Sequence, residues 1–285
     1  MATKANDFRV ESDLIGERQI SNDFLYGVQT LRGIENFNIS GFRLSSYPLF
    51  IHGLAWTKAG AAIANHRLGL LSDEQKEAIL QACNELLEGK HHEHFPIDMI
   101  QGGAGTTTNM NANEVICNRA LQIMGHQPGE FKYLTPNDHV NGSQSTNDAY
   151  PTAIHLGLYA SHLKLRPHLL DLIDSLKRKA DSFAHVLKMG RTQLQDAVPM
   201  TLGQTFSGFA SILEHEIKNL DYAAEQFLSI NMGATAIGTG ICSEPEYADY
   251  CTEAIAQITG WNVVKTDDLV GATSDTSEMI GYSSA

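Results

Sequence analysis

A chain of 285 residues can bury a large core without disulfide or metal staples, and at roughly 150 residues per domain it divides into about two domains. Its 20 basic residues against 33 acidic ones leave a formal charge of −13, which excludes non-specific binding to nucleic acid because phosphates are repelled. A small anionic substrate stays compatible, since one pocket can differ in sign from the whole.

The polar start MATKANDFRVESDLIGE has no apolar h-region, and no run of 18 apolar residues follows, so neither a signal peptide nor a membrane span is read and a cytoplasmic location is expected. Only 19% of residues are charged, against roughly 25% in an average soluble protein, which points to helix surface that faces other protein. Cys83, Cys117, Cys242 and Cys251 form no C-x-x-C pair and read as core thiols of a reducing compartment. Two glycosylation sequons, at Asn38 and Asn141, carry no weight without a secretion signal.

The first clear element is a helix after the capping box Ser72-Asp-Glu-Gln75, with Gly89 at its C-cap and an apolar stripe of Ile79, Cys83, Leu86 and Leu87. His91-His92-Glu93-His94 follows it. Its spacing suits no standard zinc motif, so it reads as an exposed turn and no metal site is expected. A second helix is expected over about 109–124, stopping at Gly125. A longer one begins near Pro151 and carries Ile154, Leu158, His162, Leu165, Leu169, Leu172, Leu176, Ala180 and Phe183 in steps of three and four, with Pro167 interrupting it. Leu202, Phe206, Phe209, Leu213, Ile217, Leu220, Ala224 and Phe227 repeat at about the 3.6-residue helical period. A last helix covers about 246–259, and a weak strand signal lies at 262–265. The expected fold is mainly α: a mixed, mostly helical domain at 1–142 and a helical-bundle domain at 143–285.

Three polar segments sit before helices: Gln101–Asn111, Thr135–Asp148 and Gly190–Asp196. Ser, Thr and Asn there are commonly plain N-caps. Three such clusters, each denser than capping requires, instead suggest hydroxyl and N–H donors converging on a carboxylate. Gly233–Gly240 has glycine spacing like a P-loop but lacks the lysine, so no nucleotide site is read.

Four of these stretches are motifs: GGAGTTTNMNANEVICNRA at 102–120, PNDHVNGSQSTNDAYPTA at 136–153, GRTQLQDAVPMTLGQTF at 190–206 and MGATAIGTGI at 232–241. On them the chain resembles the aspartase/fumarase superfamily from about Val10 to Thr276. Fumarases usually carry Ser-Ser-Asn where this chain has Ser145-Thr146-Asn147, His at Gln193 and Thr at Val198, so the resemblance leans to the aspartase branch. It implies a mostly helical, three-domain homotetramer whose central bundle combines four chains and whose active sites are shared between subunits. It implies reversible elimination of ammonia from L-aspartate to give fumarate, with no cofactor.

By the same resemblance Thr106, Ser145 and Thr146 bind the β-carboxylate, Thr192 contacts the α-carboxylate, and Asn147 lies near the substrate amine with Gln193 beside it. Thr107 is a neighbour of this set, and His139 takes a structural role. The family's serine base lies in a GSSxMPxKxN loop, which the resemblance puts beyond Ala285 along with the third domain and much of the bundle; Ser283-Ser284 lacks that context. Gly142 and Cys242 depart from the family's common lysine and asparagine. Two alternatives stay open: a fumarate hydratase of the same fold, and a non-catalytic helical scaffold.

Overall fold

The first helix is capped from a distance. A computed structural model describes residues 8–285, and the start of the N-terminal leader reading, residues 1–7, lies outside them. Strands β1 (Phe8–Asp13) and β2 (Gly16–Ser21) form an antiparallel hairpin, followed by helix α1 (Val28–Asn36). Gly27, at the N-cap of α1, has no side chain to offer. Glu114 supplies the missing acceptor, taking Gly27 N and Gln29 N at 2.8 Å, Thr30 N at 3.0 Å and Thr30 Oγ1 at 2.6 Å. A carboxylate at a helix start also answers the positive end of the helix dipole. Burial nevertheless pushes the Glu114 carboxyl up to about 7, against the hydrogen bonds that favour its charged form.

Helix α2 (Pro48–Arg67) begins with proline at its first turn, where no N–H is missed. The sequence patterning does not reveal this helix because it is buried on every side. Ile51, Leu54, Ala55, Lys58, Ala61 and Ala64 are all enclosed, so no polar face marks the period. Helix α3 (Asp73–Leu87) starts at the expected capping box, with Gln75 N donating to Ser72 Oγ at 3.2 Å and Ser72 N to Gln75 Oε1 at 3.1 Å. The turn after it is not exposed as expected. His91 takes a left-handed φ of 65° and folds the segment back on α3, where His92 Nε2 meets Leu86 O at 2.8 Å. His94 is buried and His91 half-buried.

Helix α4 (Thr106–Ile123) begins three residues before the expected start, and a π-type turn covers Pro136–Val140. Helix α5 (Thr146–Ser182) begins before Pro151 and runs unbroken through Pro167. The carbonyl that Pro167 leaves unpaired lies in a stretch, 163–168, that is exposed throughout, so water can take it up. Strands β3 (Leu187–Thr192) and β4 (Gln195–Thr201) make a second hairpin around the polar segment 190–196, where the sequence shows no strand signal. Helix α6 (Leu202–Glu225) follows, opened by a capping box of Thr201 and Gln204. Strand β5 (Ser229–Ile230) pairs in parallel with β6 (Val264–Lys265), on either side of α7 (Tyr247–Thr259). Short helices α8 (Leu269–Ser274) and α9 (Ser277–Ser284) end the chain. Among the described residues no helix is long and apolar enough to cross a membrane.

Two compact units result. The first comprises the residues up to Leu158 together with Phe227–Thr276; the second comprises Tyr159–Gln226 and Ser277–Ala285. In the first, α2 packs against α3, α4 and α7. One core gathers Leu54, Ile79, Phe95, Ile116 and Leu121, and a neighbouring one gathers Ala64, Leu156, Met232, Tyr247 and Ile255. Two glycines let α2 and α5 touch backbone to backbone. A Cβ at Gly53 would lie 2.0 Å from Ala153 O, and one at Gly157 would lie 2.9 Å from Leu49 O.

In the second unit, α6 packs on α9, and Asp221 joins His162 Nε2 (3.0 Å) to Arg166 Nε (2.9 Å). Much of its apolar surface is bare: Leu163, Leu165, Leu170, Leu172, Phe209 and Ile212 are exposed. Cys83, Cys117 and Cys251 are buried thiols as expected, but Cys242 is exposed, on a left-handed turn outside any helix.

Candidate active site

The loop Gly102–Gly105 makes the sharp entry into α4. Gly103, Ala104 and Gly105 all take positive φ, at 72°, 48° and 96°. Gly105 is required twice over: its conformation is left-handed, and a Cβ would fall 2.5 Å from the ring of Tyr150 on α5. The contact seats the start of α4 against the first turns of α5. Thr106 opens α4 with an exposed side chain, and its hydroxyl donates to Gly103 O at 2.6 Å. To donate to a ligand, Thr106 has to give up that bond. Thr107 is half-buried and presents its methyl group to Gly33.

The start of α5 is built differently. Ser145 Oγ accepts from Asn147 N at 3.2 Å, and Thr146 Oγ1 accepts from Asn109 Nδ2 at 3.3 Å. A hydroxyl whose lone pair is engaged in this way keeps its own proton to donate. Asn147 Nδ2 donates to Ala236 O at 2.8 Å, which leaves its Oδ1 as an acceptor. Asp148 ties the whole turn to the 233–235 loop. It accepts Ser145 N (2.9 Å), Thr235 N (2.9 Å) and Gly233 N (3.2 Å). Burial pushes its carboxyl up to about 6, opposed by these N–H groups and by Lys58.

Beneath Thr146 lies a polar layer that sequence reasoning missed. Lys58 is fully buried, and Nζ reaches Asn109 Oδ1 at 2.7 Å, Gln144 Oε1 at 2.8 Å and Asn141 Oδ1 at 3.0 Å. Asn141 Oδ1 also accepts from Asn109 Nδ2 (3.0 Å) and Asn113 Nδ2 (3.2 Å). Burial pulls the Lys58 ammonium down to about 7, yet three carbonyl acceptors match the three N–H donors of the charged form. The arrangement passes orientation from Lys58 through Asn109 to Thr146. One signal was available: a lone lysine among small and apolar residues in LAWTKAGAA.

Thr192 and Gln193 are on the β3–β4 hairpin of the second unit, and both are exposed. Thr192 pairs with Gln195, while Gln193 and Leu194 form the turn with φ of 48° and 67°. Within the first unit the structure thus gathers Ser145, Thr146 and Asn147 with the 231–236 loop, and sets Thr106 at the adjoining helix start. His139 Nδ1 accepts from Thr135 N at 2.9 Å inside its own turn. Taken together, the first unit offers hydroxyl donors and two helix starts suited to an anion.

The sequence profile of a family described as Lyase matches residues 16–285. The chain is similar to an aspartate ammonia-lyase of Pseudomonas canavaninivorans, 51% identical over 282 residues, covering 99% of this chain and 60% of that one. The aspartate ammonia-lyase of Escherichia coli K12 is 50% identical over 272 residues, covering 95% of this chain and 57% of its own. Among solved structures, the fumarate lyase:delta crystallin from Brucella melitensis bound to cobalt matches with a TM-score of 0.95 at 44% identity, covering 97% of this chain and 60% of that chain. A class II fumarase from Schistosoma mansoni matches with a TM-score of 0.88 at 33% identity, covering 97% of this chain and 61% of its own. The chain therefore spans about three-fifths of the length of the curated relatives it matches.

Proposed function

Since the chain belongs to the Lyase family, within the aspartase/fumarase superfamily that its motifs resemble, we propose that it contributes to an active site for eliminating ammonia from L-aspartate to give fumarate. The observation that carries the reading is the start of α5, where Ser145 and Thr146 each hold a hydroxyl with its lone pair engaged and its proton free to donate.

The chemistry asks for such groups. Removing a proton from Cβ leaves a carbanion, which is tolerable only as its charge passes to the neighbouring carboxylate as an aci-carboxylate dianion. Donors that tighten as this charge develops stabilise the transition state more than the ground state. Ser145 and Thr146 take that role, with Thr106 joining them once its hydroxyl leaves Gly103 O. The starts of α4 and α5 add partial positive charge. Asn147 Oδ1 accepts from the substrate ammonium, and Gln193 is assigned to the same group from another copy of the chain. Thr192 holds the α-carboxylate. None of the 285 residues is assigned as the base. The steps are proton transfer and elimination, with no redox change, so no organic cofactor is assigned.

The partner we assign is a second copy of the chain, in a tetramer whose sites are shared. The bare leucines and Phe209 of the second unit support this, as does the low share of charged residues. The test is to supply the full gene product with L-aspartate or L-malate and follow fumarate by its ultraviolet absorbance. Fumarate and ammonia from L-aspartate alone are expected. Consumption of L-malate in its place would overturn the reading in favour of a hydratase, and inertness towards both would favour a scaffold.

A further inference from the structure

The turn after α3 gathers groups that the proposed elimination does not use. His91, Glu93 and His94 each offer one ligand atom, and these atoms lie within 4.8 Å of one another. We propose that they form a binding site for a divalent transition metal of borderline softness, of which Zn2+ is the type. Two imidazoles and one carboxylate are the donor set such ions prefer over Mg2+ or Ca2+, which favour oxygen alone.

The surroundings prepare the ligands. His91 Nε2 lies 2.9 Å from Glu85 Oε2, and Glu85 is also clamped by Arg119 through Nε and Nη2. Arg119 engages both oxygens of the Glu85 carboxylate, which leaves it as an acceptor towards His91. With Nε2 donating to Glu85, the lone pair left on Nδ1 is the one proposed to hold the metal. A carboxylate behind a ligating histidine is the arrangement that fixes its tautomer and raises its basicity. His94 is buried, which restricts where its ring can turn. Its Nε2 lies 3.6 Å from Glu93 Oε1. Ligation through Nε2 moves the ring proton to Nδ1 and gives up the long contact from Leu25 N, at 3.5 Å.

Glu93 is the adjustable ligand. Its side chain is 72% exposed, so it can swing to draw the three atoms in to the roughly 3.3 Å spacing that metal–ligand bonds of ~2.0–2.1 Å require. The fourth position stays open to water. Two carboxylates, Glu85 and Glu93, balance Arg119; Arg9, also felt at His94, is already paired with Glu11 at 2.7 Å. His92 lies outside the group whose ligand atoms converge, and its Nε2 is tied to Leu86 O.

The test uses the full chain without a histidine tag, stripped with chelator and titrated with Zn2+ in a calorimeter. The parent is expected to bind one equivalent that Glu93→Gln weakens at least tenfold and His91→Asn abolishes, while His92→Asn leaves it unchanged. Glu93 is exposed, so its variant keeps the fold, and matching circular-dichroism melts check this. Equal Zn2+ binding by parent, Glu93→Gln and His91→Asn would overturn the proposal. So would the absence of any bound equivalent in the parent.

Discussion

The two compact units spend their side chains in opposite ways. The first buries polar groups and satisfies them: Lys58 meets three carbonyl oxygens, and the carboxylates of Glu114 and Asp148 each gather backbone N–H groups. The second leaves apolar groups in the open, with Phe209 51% and Ile212 60% exposed. Burying an ammonium costs several kcal/mol unless acceptors surround it, so the first unit is a device for holding a few side chains in fixed poses. Exposed leucine and phenylalanine stabilise little within the chain, and the proposed association rests on them. The contrast sets the orienting layer in one unit and the proposed association in the other.

The largest test of that contrast is Lys58→Met. It leaves Asn109 Oδ1, Asn141 Oδ1 and Gln144 Oε1 without their shared donor, and we expect a loss of about 3 kcal/mol in unfolding free energy by urea titration. Activity should fall with it, because Asn109 no longer holds Thr146. Next comes Thr146→Ala in the full gene product. It removes one donor to the developing charge and should lower kcat on the order of 100- to 1,000-fold, with little change in melting temperature. A large loss of stability with activity retained would make Thr146 part of the scaffold instead.

The second unit is tested by Phe209→Ser combined with Ile212→Ser. A smaller assembly by light scattering is expected; an unchanged mass would detach the bare face from association. The last test concerns Glu114 and is read only as a dependence on pH. Its folded-state pKa, about 7, lies above the ordinary 4.5, so the folded chain holds a proton there that the unfolded chain has released. This contribution to stability is complete below pH 4.5 and fades as pH rises through 7. Glu114→Gln should flatten the fall in melting temperature across that window, while lowering it at every pH because the amide Nε2 faces N–H donors.

How far the sequence reveals each region follows from the same contrast. Helices α3 and α6 are legible because each has a capping box and one wet face, so period and boundary agree. Helix α2 has no wet face and leaves no periodic trace, although it is central to the first unit. The β3–β4 hairpin hides because its strands alternate little and its turn, Gln193-Leu194, lacks the usual Asn-Gly signal. At the candidate site, the hydroxyls of Ser145 and Thr146 are legible as a dense cluster before a helix. The layer that orients them is assembled from α2, α4 and the 141–144 turn, segments far apart in the chain, and spacing along one segment does not show it.

The glycine crossing of α2 and α5 makes helix α2 a ruler. With Gly53 pressed on Ala153 O there is no freedom to slide, and five residues further on, about 7.5 Å along the axis, Lys58 arrives at a set height. A single methyl group at position 53 would act as a wedge at one end of a lever whose other end is the ammonium. Tolerance to change at that distant, chemically silent glycine is therefore limited by the placement of Lys58 under Thr146, and a mutational survey should find position 53 as intolerant as the residues proposed to bind substrate.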